Sequence, residues 1–381
     1  MTNYYNSLCN GRDTVHKKTK FGASGGSPNT TKTSRWWLAS LFMFMSLFMG
    51  QYVSAQVSAY AFSQSSGTYA PVSGGTVLAA QTVTTGTAAG ALDDVNYPVS
   101  LPFNFSFNGV TYNSGTNITV NSNGFVAFGA APNVGTYGVI GSTNAVTGAI
   151  AGFSLDCNGG YAATASTTNG SPTITITAGT GLQFTAGRLV SGSGIPVGAT
   201  VVSSTATTVT LSANCTSTGT SRTVTVASGE IRFETLGTTP NQRLVIQFKN
   251  MRPYNATLRT IDYQIVLNET SNIVDIVYGP SIGSTASSAP QVGLRGASNA
   301  DYNARTTITN WSSTTAGTSN TVTCTFSSTV FPASGQRFTW TPPAPPSVDL
   351  ASTAIVGLGS SPCSNASVPL SVTIKNNAVA V

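Results

Sequence analysis

Few residues in this chain combine type and spacing in a way that could do chemistry. Asp93 and Asp94, followed by Asn96, form its one adjacent acidic pair. Calcium takes several oxygen ligands, so such a loop could hold one ion with help from backbone carbonyls. The same residues equally suit a turn before a strand at Pro98, because Asp readily hydrogen-bonds its own backbone. Glu230 and Glu234 are four apart and share a strand face, as a pair of glycosidase carboxylates would require. Arg232 lies between them and nothing nearby marks a cleft, so a solvated strand face is expected, as it is for Asp262 and Asp275 on the arms of a hairpin. Trp311 and Trp340 are the candidate sugar platforms, each in a Thr- and Ser-rich context where a lone Trp also commonly caps a core. Cys157 with Cys215 or Cys324 is a plausible disulfide, which leaves Cys363 without an evident partner.

Other chemistries are excluded by what the N-terminus removes. The run Trp36–Met49 is apolar, follows Lys17, Lys18, Lys20, Lys32 and Arg35, and leads into Val53-Ser54-Ala55-Gln56. Basic, apolar and small residues in that order are the parts of a secretory signal, and roughly 14 apolar residues fall short of the ~20 that span a bilayer. Cleavage is expected between Ala55 and Gln56, so the membrane matters only through export. Six of the 17 Lys and Arg and one of the 11 Asp and Glu leave with residues 1–55, so 11 basic and 10 acidic residues remain. The basic balance therefore belongs to the leader, and nucleic acid is not an expected partner, since phosphate binding needs clustered cations. Lys249, Arg252 and Arg259 come closest to a cluster and read as a solvated hairpin end. The only histidine, His16, is also in the leader, which rules out Ser-His-Asp and Cys-His catalytic sets in the mature chain.

The elements that must position these residues are strands. The mature part is rich in Thr, Ser, Gly, Val and Asn, which stiffen extended backbone and supply turns, and the expected class is all-β. Leu244, Ile246 and Phe248 alternate with Val245, Gln247 and Lys249, and Ile261–Leu267 and Ile273–Tyr278 flank a turn-rich linker. Ile118–Val120, Ser122-Asn123-Gly124 and Phe125–Gly129 read as strand, tight turn and strand. Phe103, Phe105 and Phe107 share one strand face, and burying each is worth roughly 1.5–3 kcal/mol, so they are expected in a core. Short Thr- and Val-rich strands over 162–228 read as a small β module inserted into the larger one. Pro342–Pro346 is a stiff linker, and 347–381 hold too few residues for a complete domain, so the given chain is expected to stop inside one.

Several ordered blocks resemble a known family: Pro102-Phe103 with Phe105, Phe107 and Gly109, Ser122–Phe128, Ile150–Phe153, and Tyr263–Glu269 with Tyr278. Together they resemble nidogen-like β-sandwich modules over 56–341, similar to versions at the N-terminus of large secreted Bacteroidota proteins of the type IX secretion kind. Val190–Gly198 is similar to a short β module of phage structural and bacterial surface proteins, and 347–381 resembles the start of a CARDB-type, Ig-like adhesion domain. After Phe153 the usual acidic and aromatic stretch is replaced by Ser154-Leu155-Asp156-Cys157-Asn158-Gly159-Gly160, which puts any ligand property of that stretch in doubt.

The expected architecture is thus a jelly-roll-like β-sandwich carrying an inserted β module, followed by a partial Ig-like domain. The expected function is non-enzymatic, an exported structural or adhesive module of a larger secreted or cell-surface protein with an extracellular protein or glycan as partner. The alternative is a carbohydrate-binding module attached to a catalytic domain outside this sequence. No cofactor beyond calcium is implied.

Overall fold

The computed structural model describes residues 56–80, 92–143, 146–254, 259–282 and 286–344, and by backbone alone 350–356 and 371–376. The leader, Ala55, residues 345–349 and Cys363 lie outside the described residues; Gln56 is exposed. In chain order the strands are β1 (Ala61–Ser66), β2 (Thr76–Ala80), β3 (Asn96–Ser100), β4 (Phe105–Phe107), β5 (Val110–Tyr112), β6 (Asn117–Asn121), β7 (Phe125–Ala127), β8 (Ala149–Ser154) and β9 (Cys157–Gly159). Then come β10 (Tyr161–Thr167), β11 (Thr173–Ala178), β12 (Val190–Gly192), β13 (Val201–Ser204), β14 (Thr208–Leu211) and β15 (Gly219–Val226). The remainder are β16 (Glu230–Leu236), β17 (Arg243–Pro253), β18 (Thr260–Asn268), β19 (Val274–Ile282), β20 (Gln291–Arg295), β21 (Tyr302–Thr306), β22 (Thr315–Ala316), β23 (Gln336–Thr341), β24 (Leu350–Val356) and β25 (Ser371–Asn376). No helix among the described residues is long and apolar enough to cross a membrane.

Two antiparallel sheets form the sandwich. The larger runs β1-β23-β19-β18-β17-β16-β2, with β9 also paired to β17, and the facing sheet runs β22-β21-β20-β8-β7-β6-β3. Period-two alternation sends Leu244, Ile246, Phe248, Ile265, Ile276 and Phe338 from one sheet and Val99, Ile118, Val120, Val126, Ile150 and Leu294 from the other into a shared core. Phe103, Phe105 and Phe107 are buried in it; Phe107 stacks on Phe128 with ring centroids 4.5 Å apart. The turn between β6 and β7 places Gly124 at φ +84°, where a side chain would run into the Phe153 carbonyl.

A third sheet, β12-β15-β10-β11-β14-β13, has its own core of Tyr161, Ile174, Phe184, Val209, Val224 and Val226. Its ends meet, since Tyr161 pairs with Val226, so this run of chain leaves and re-enters the sandwich at one place. By backbone, β24 and β25 pair antiparallel with Leu350 opposite Asn376.

Two expectations change on folding. Val245 and Gln247 alternate with the core-facing residues of a strand expected to bury one side, yet both are buried, because residues 67–75 cross the outer side of the larger sheet and cover them. Arg252 and Arg259 do not stand at a solvated hairpin end. Both are buried, with Arg252 donating to the Tyr254 carbonyl at 2.6 Å and Arg259 to Ser288 Oγ at 2.5 Å.

Candidate functional site

Asp93 and Asp94 occupy the turn that enters β3, and Asp94 takes φ 52°, a conformation that Asp tolerates better than most residues. This turn is fastened to the one between β6 and β7. The Val95 amide donates to Ser122 Oγ at 2.9 Å, Ser122 returns its amide to the Val95 carbonyl at 2.9 Å, and Asn121 Nδ2 donates to Asn96 Oδ1 at 2.7 Å. Asn123 links it to a third segment: its Nδ2 donates to Asp94 Oδ1 at 2.9 Å and its Oδ1 accepts the Cys157 amide at 2.9 Å. Asp156, next to that cysteine, thereby joins the pair, and Asp93, Asp94 and Asp156 each bring an oxygen within 4.8 Å of the others.

Three carboxylates at that distance repel one another. Burial, then the charges of Asp94 and Asp156, raises the Asp93 pKa to about 6, with Arg252 pulling the other way; burial and then Asp94 raise that of Asp156. Chemically this is a partial donor set for a hard cation such as calcium, which prefers oxygen ligands. Arg252, opposite Asn158 in the β17–β9 pairing, supplies a competing positive charge. Both readings of the acidic pair therefore meet at one place, a turn and a carboxylate cluster. The sequence contained Asp156 in a stretch already marked as unusual, but pattern alone gave no reason to bring it 62 positions back along the chain to Asp94.

The remaining candidates do not assemble. Trp311 and Trp340 are buried, their indole nitrogens donating to the Thr325 carbonyl at 2.8 Å and Asn303 Oδ1 at 3.1 Å, so neither offers a ring to a sugar. Cys157, Cys215 and Cys324 carry no disulfide. Cys157 and Cys324 are buried in the sandwich core and Cys215 in that of the third sheet. Glu230 is not solvated: it is buried and paired with Arg232 at 2.6 Å, whereas Glu234 lies against Gly74. Asp262 and Asp275 are buried as well. A shallow cleft of about 320 Å³ lies between the β16–β17 and β18–β19 turns, lined by Asn241, Arg243, Asn268 and Glu269 among others, with no aromatic residue in its wall.

A family model described as NIDO related matches residues 59–176 and 197–342, well over half of the chain. The gap between its two matched segments, 177–196, falls within the run of chain that forms the third sheet. No curated protein and no solved structure matches this chain.

Proposed function

Because the chain belongs to the NIDO-related family, a family of non-catalytic structural domains of extracellular type, we propose that it is an exported display module that gives a larger secreted or cell-surface protein an adhesive part. The observation that carries this reading is where the module begins and ends. β1 and β23 are paired neighbours, with Ala61 opposite Thr341, so the chain enters and leaves the sandwich at one edge of its larger sheet, an arrangement that suits a module carried within a longer chain. In this reading residues 1–55 are removed after Ala55, 162–228 form an inserted module, 342–346 space it, and 347–381 begin a CARDB-like, Ig-like domain of a type IX secretion surface protein. The acidic turn is its candidate calcium site.

The test is to fuse residues 56–344 to an unrelated surface anchor and measure attachment of the displaying cells to protein- and glycan-coated plates. Attachment without turnover of the coating is expected. Absence of attachment to every coating would remove the adhesive role, and release of product from a coating would remove the non-enzymatic one. N-terminal sequencing of the exported chain is expected to begin at Gln56.

A glycan-binding reading draws on the cleft at the hairpin ends, with its Asn, Arg and Glu side chains, instead of the buried tryptophans. It requires Arg243→Ala to abolish attachment to a glycan coating while leaving attachment to protein intact.

A further inference from the structure

The connection between β1 and β2 starts at one edge of the larger sheet and ends at the other, so it must cross the sheet's outer face. It does so as an extended segment held through its backbone. The Gly67 amide donates to the Gly335 carbonyl at 2.9 Å, Gln264 Nε2 to the Ala70 carbonyl at 2.8 Å and the Val72 amide to Gln247 Oε1 at 2.8 Å; Gln247 Nε2 returns a bond to the Val72 carbonyl at 3.2 Å. Arg232 holds the Ser73 and Gly74 carbonyls. Arg232, Gln247 and Gln264 stand opposite one another on β16, β17 and β18, a row of side chains that reads peptide backbone. Only Tyr69 and Val72 point inward, joining Val245, Val266 and Val277.

Both ends of the segment rest on glycine. A Cβ at Gly335 would lie 1.8 Å from the Gly67 carbonyl oxygen, and one at Gly75, at φ +70°, would lie 2.1 Å from that of Phe233. In the middle, the Tyr69 ring sits over Gly279, where an added Cβ would come within 2.7 Å of the ring and 2.9 Å of Asp262 Cβ. Asp262 is therefore a neighbour of the Tyr69 ring across Gly279; it is buried, and its carboxylate accepts the Asn250 amide at 2.7 Å.

We propose that residues 67–75 are a releasable strap over the outer face of the larger sheet, and that the negative charge of Asp262 beside Tyr69 loosens it. Burial raises the Asp262 pKa to about 6 despite the Asn250 amide and Lys249, which lower it. Lys249 comes from β17, with Glu230 opposite it and Arg232 paired to Glu230; β19 contributes the uncharged Gly279; the Arg337–Asp275 pair lies farther along the sheet. From the strap comes Tyr69, whose phenol burial holds protonated. The sign follows from a raised carboxyl pKa: strap closure is favoured in full below the ordinary carboxylate range and weakens as pH climbs through about 6. Opening rehydrates the carboxylate, so neutral pH exposes the backbone-reading row and the valines, and acid covers them.

Hydrogen exchange of the Val72 amide, normalised to its intrinsic rate, reads this at pH 4.5 and 7.5, with the Ile265 amide as a control for global folding. Wild type is expected to lose protection at Val72 by about tenfold or more at the higher pH, since each unit of pKa shift corresponds to roughly a tenfold change in the coupled equilibrium. Asp262→Asn keeps the acceptor for Asn250 and is expected to stay protected at both pH values. Gly279→Ala displaces the Tyr69 ring and is expected to expose Val72 at both, with Ile265 still protected. Equal protection in wild type at the two pH values, a pH response surviving in Asp262→Asn, or a protected Val72 in Gly279→Ala would each overturn the proposal.

Discussion

The sandwich and the third sheet are woven from the same alternating Thr, Val and Ile strands, yet they treat aromatic and charged residues differently. The sandwich core is an aromatic lattice in which Phe338 touches Phe62, Tyr278, Trp311 and Trp340, with centroids 5.4–6.3 Å away. Around that core the sandwich also buries charge, in part on the covered outer face of its larger sheet: Glu230, Arg252, Arg259, Asp262, Asp275, Arg295 and Arg305. Between Tyr161 and Val226 there is one aromatic pair, Tyr161 edge-on to Phe184, no acidic residue, and only Arg188 and Arg222 as charges. Where β11 meets β14 the outward side of that sheet is hydroxyls, with Thr173 opposite Thr210 and Thr175 opposite Thr208. A sheet that must face another sheet needs large side chains, and the polar groups it traps need partners. A small sheet with one wet side needs neither.

The largest expected effect tests the lattice. Phe338→Ala removes a ring that four others pack against, and such truncations cost about 3–5 kcal/mol. Urea denaturation should show the loss over the whole sandwich. Phe184→Ala is the counterpart in the third sheet, where a thinner core collapses more easily, and about 2–4 kcal/mol is expected. Its effect should be local: amides of 161–226 lose exchange protection while Ile265 keeps it. Loss at Ile265 to the same degree would show that the two regions unfold as one and would break the comparison.

That contrast explains which features could be read from sequence. Alternation in Leu244, Ile246 and Phe248, and in Thr173–Thr177, is a local signal, and it placed strands and inward faces correctly. What it could not supply was the second cover. Gln247 and Lys249 alternate as solvent-facing residues do, and only the strap, whose anchors Tyr69 and Val72 carry no period, takes Gln247 out of water. Arg252 and Arg259 look like surface cations until β9 and the Phe326 carbonyl reach them. The acidic site was legible as Asp93 and Asp94, but Asp156 is brought to it by Asn123, through a contact between turns that no local pattern encodes.

The acidic turn gives a smaller effect. A carboxylic acid with a raised pKa favours folding in full below its ordinary range, and that contribution is lost as pH rises through about 6. Asp93→Asn should therefore raise the melting point at pH 7.5 and leave it nearly unchanged at pH 4.5. The half-exposed position and solvent screening limit the gain to about 1 kcal/mol. Millimolar calcium should raise the melting point of the wild type at pH 7.5, with the increment disappearing in Asp93→Asn and Asp156→Asn. No increment in the wild type would leave the cluster a turn held together by Asn123.

The smallest effect expected is none at all, and it separates the two cores by their thiols. Cys157 and Cys324 share the sandwich core with Cys157 Sγ near the Phe153 carbonyl and Cys324 Sγ 3.4 Å from that of Arg305, while Cys215 belongs to the third sheet. Burial pushes all three thiols up, Cys324 to about 12, and since the thiolate is the reactive form they should be inert in the folded chain. In a Cys363→Ser chain lacking the leader, reductant should shift stability by less than about 0.5 kcal/mol, whereas losing a disulfide typically costs about 2–5 kcal/mol. An aromatic disulfide reagent should then report unfolding. With Phe184→Ala the Cys215 thiol should react first, because the sheet around it opens while the sandwich stays shut; simultaneous reaction of all three would mean that the cores share one fate.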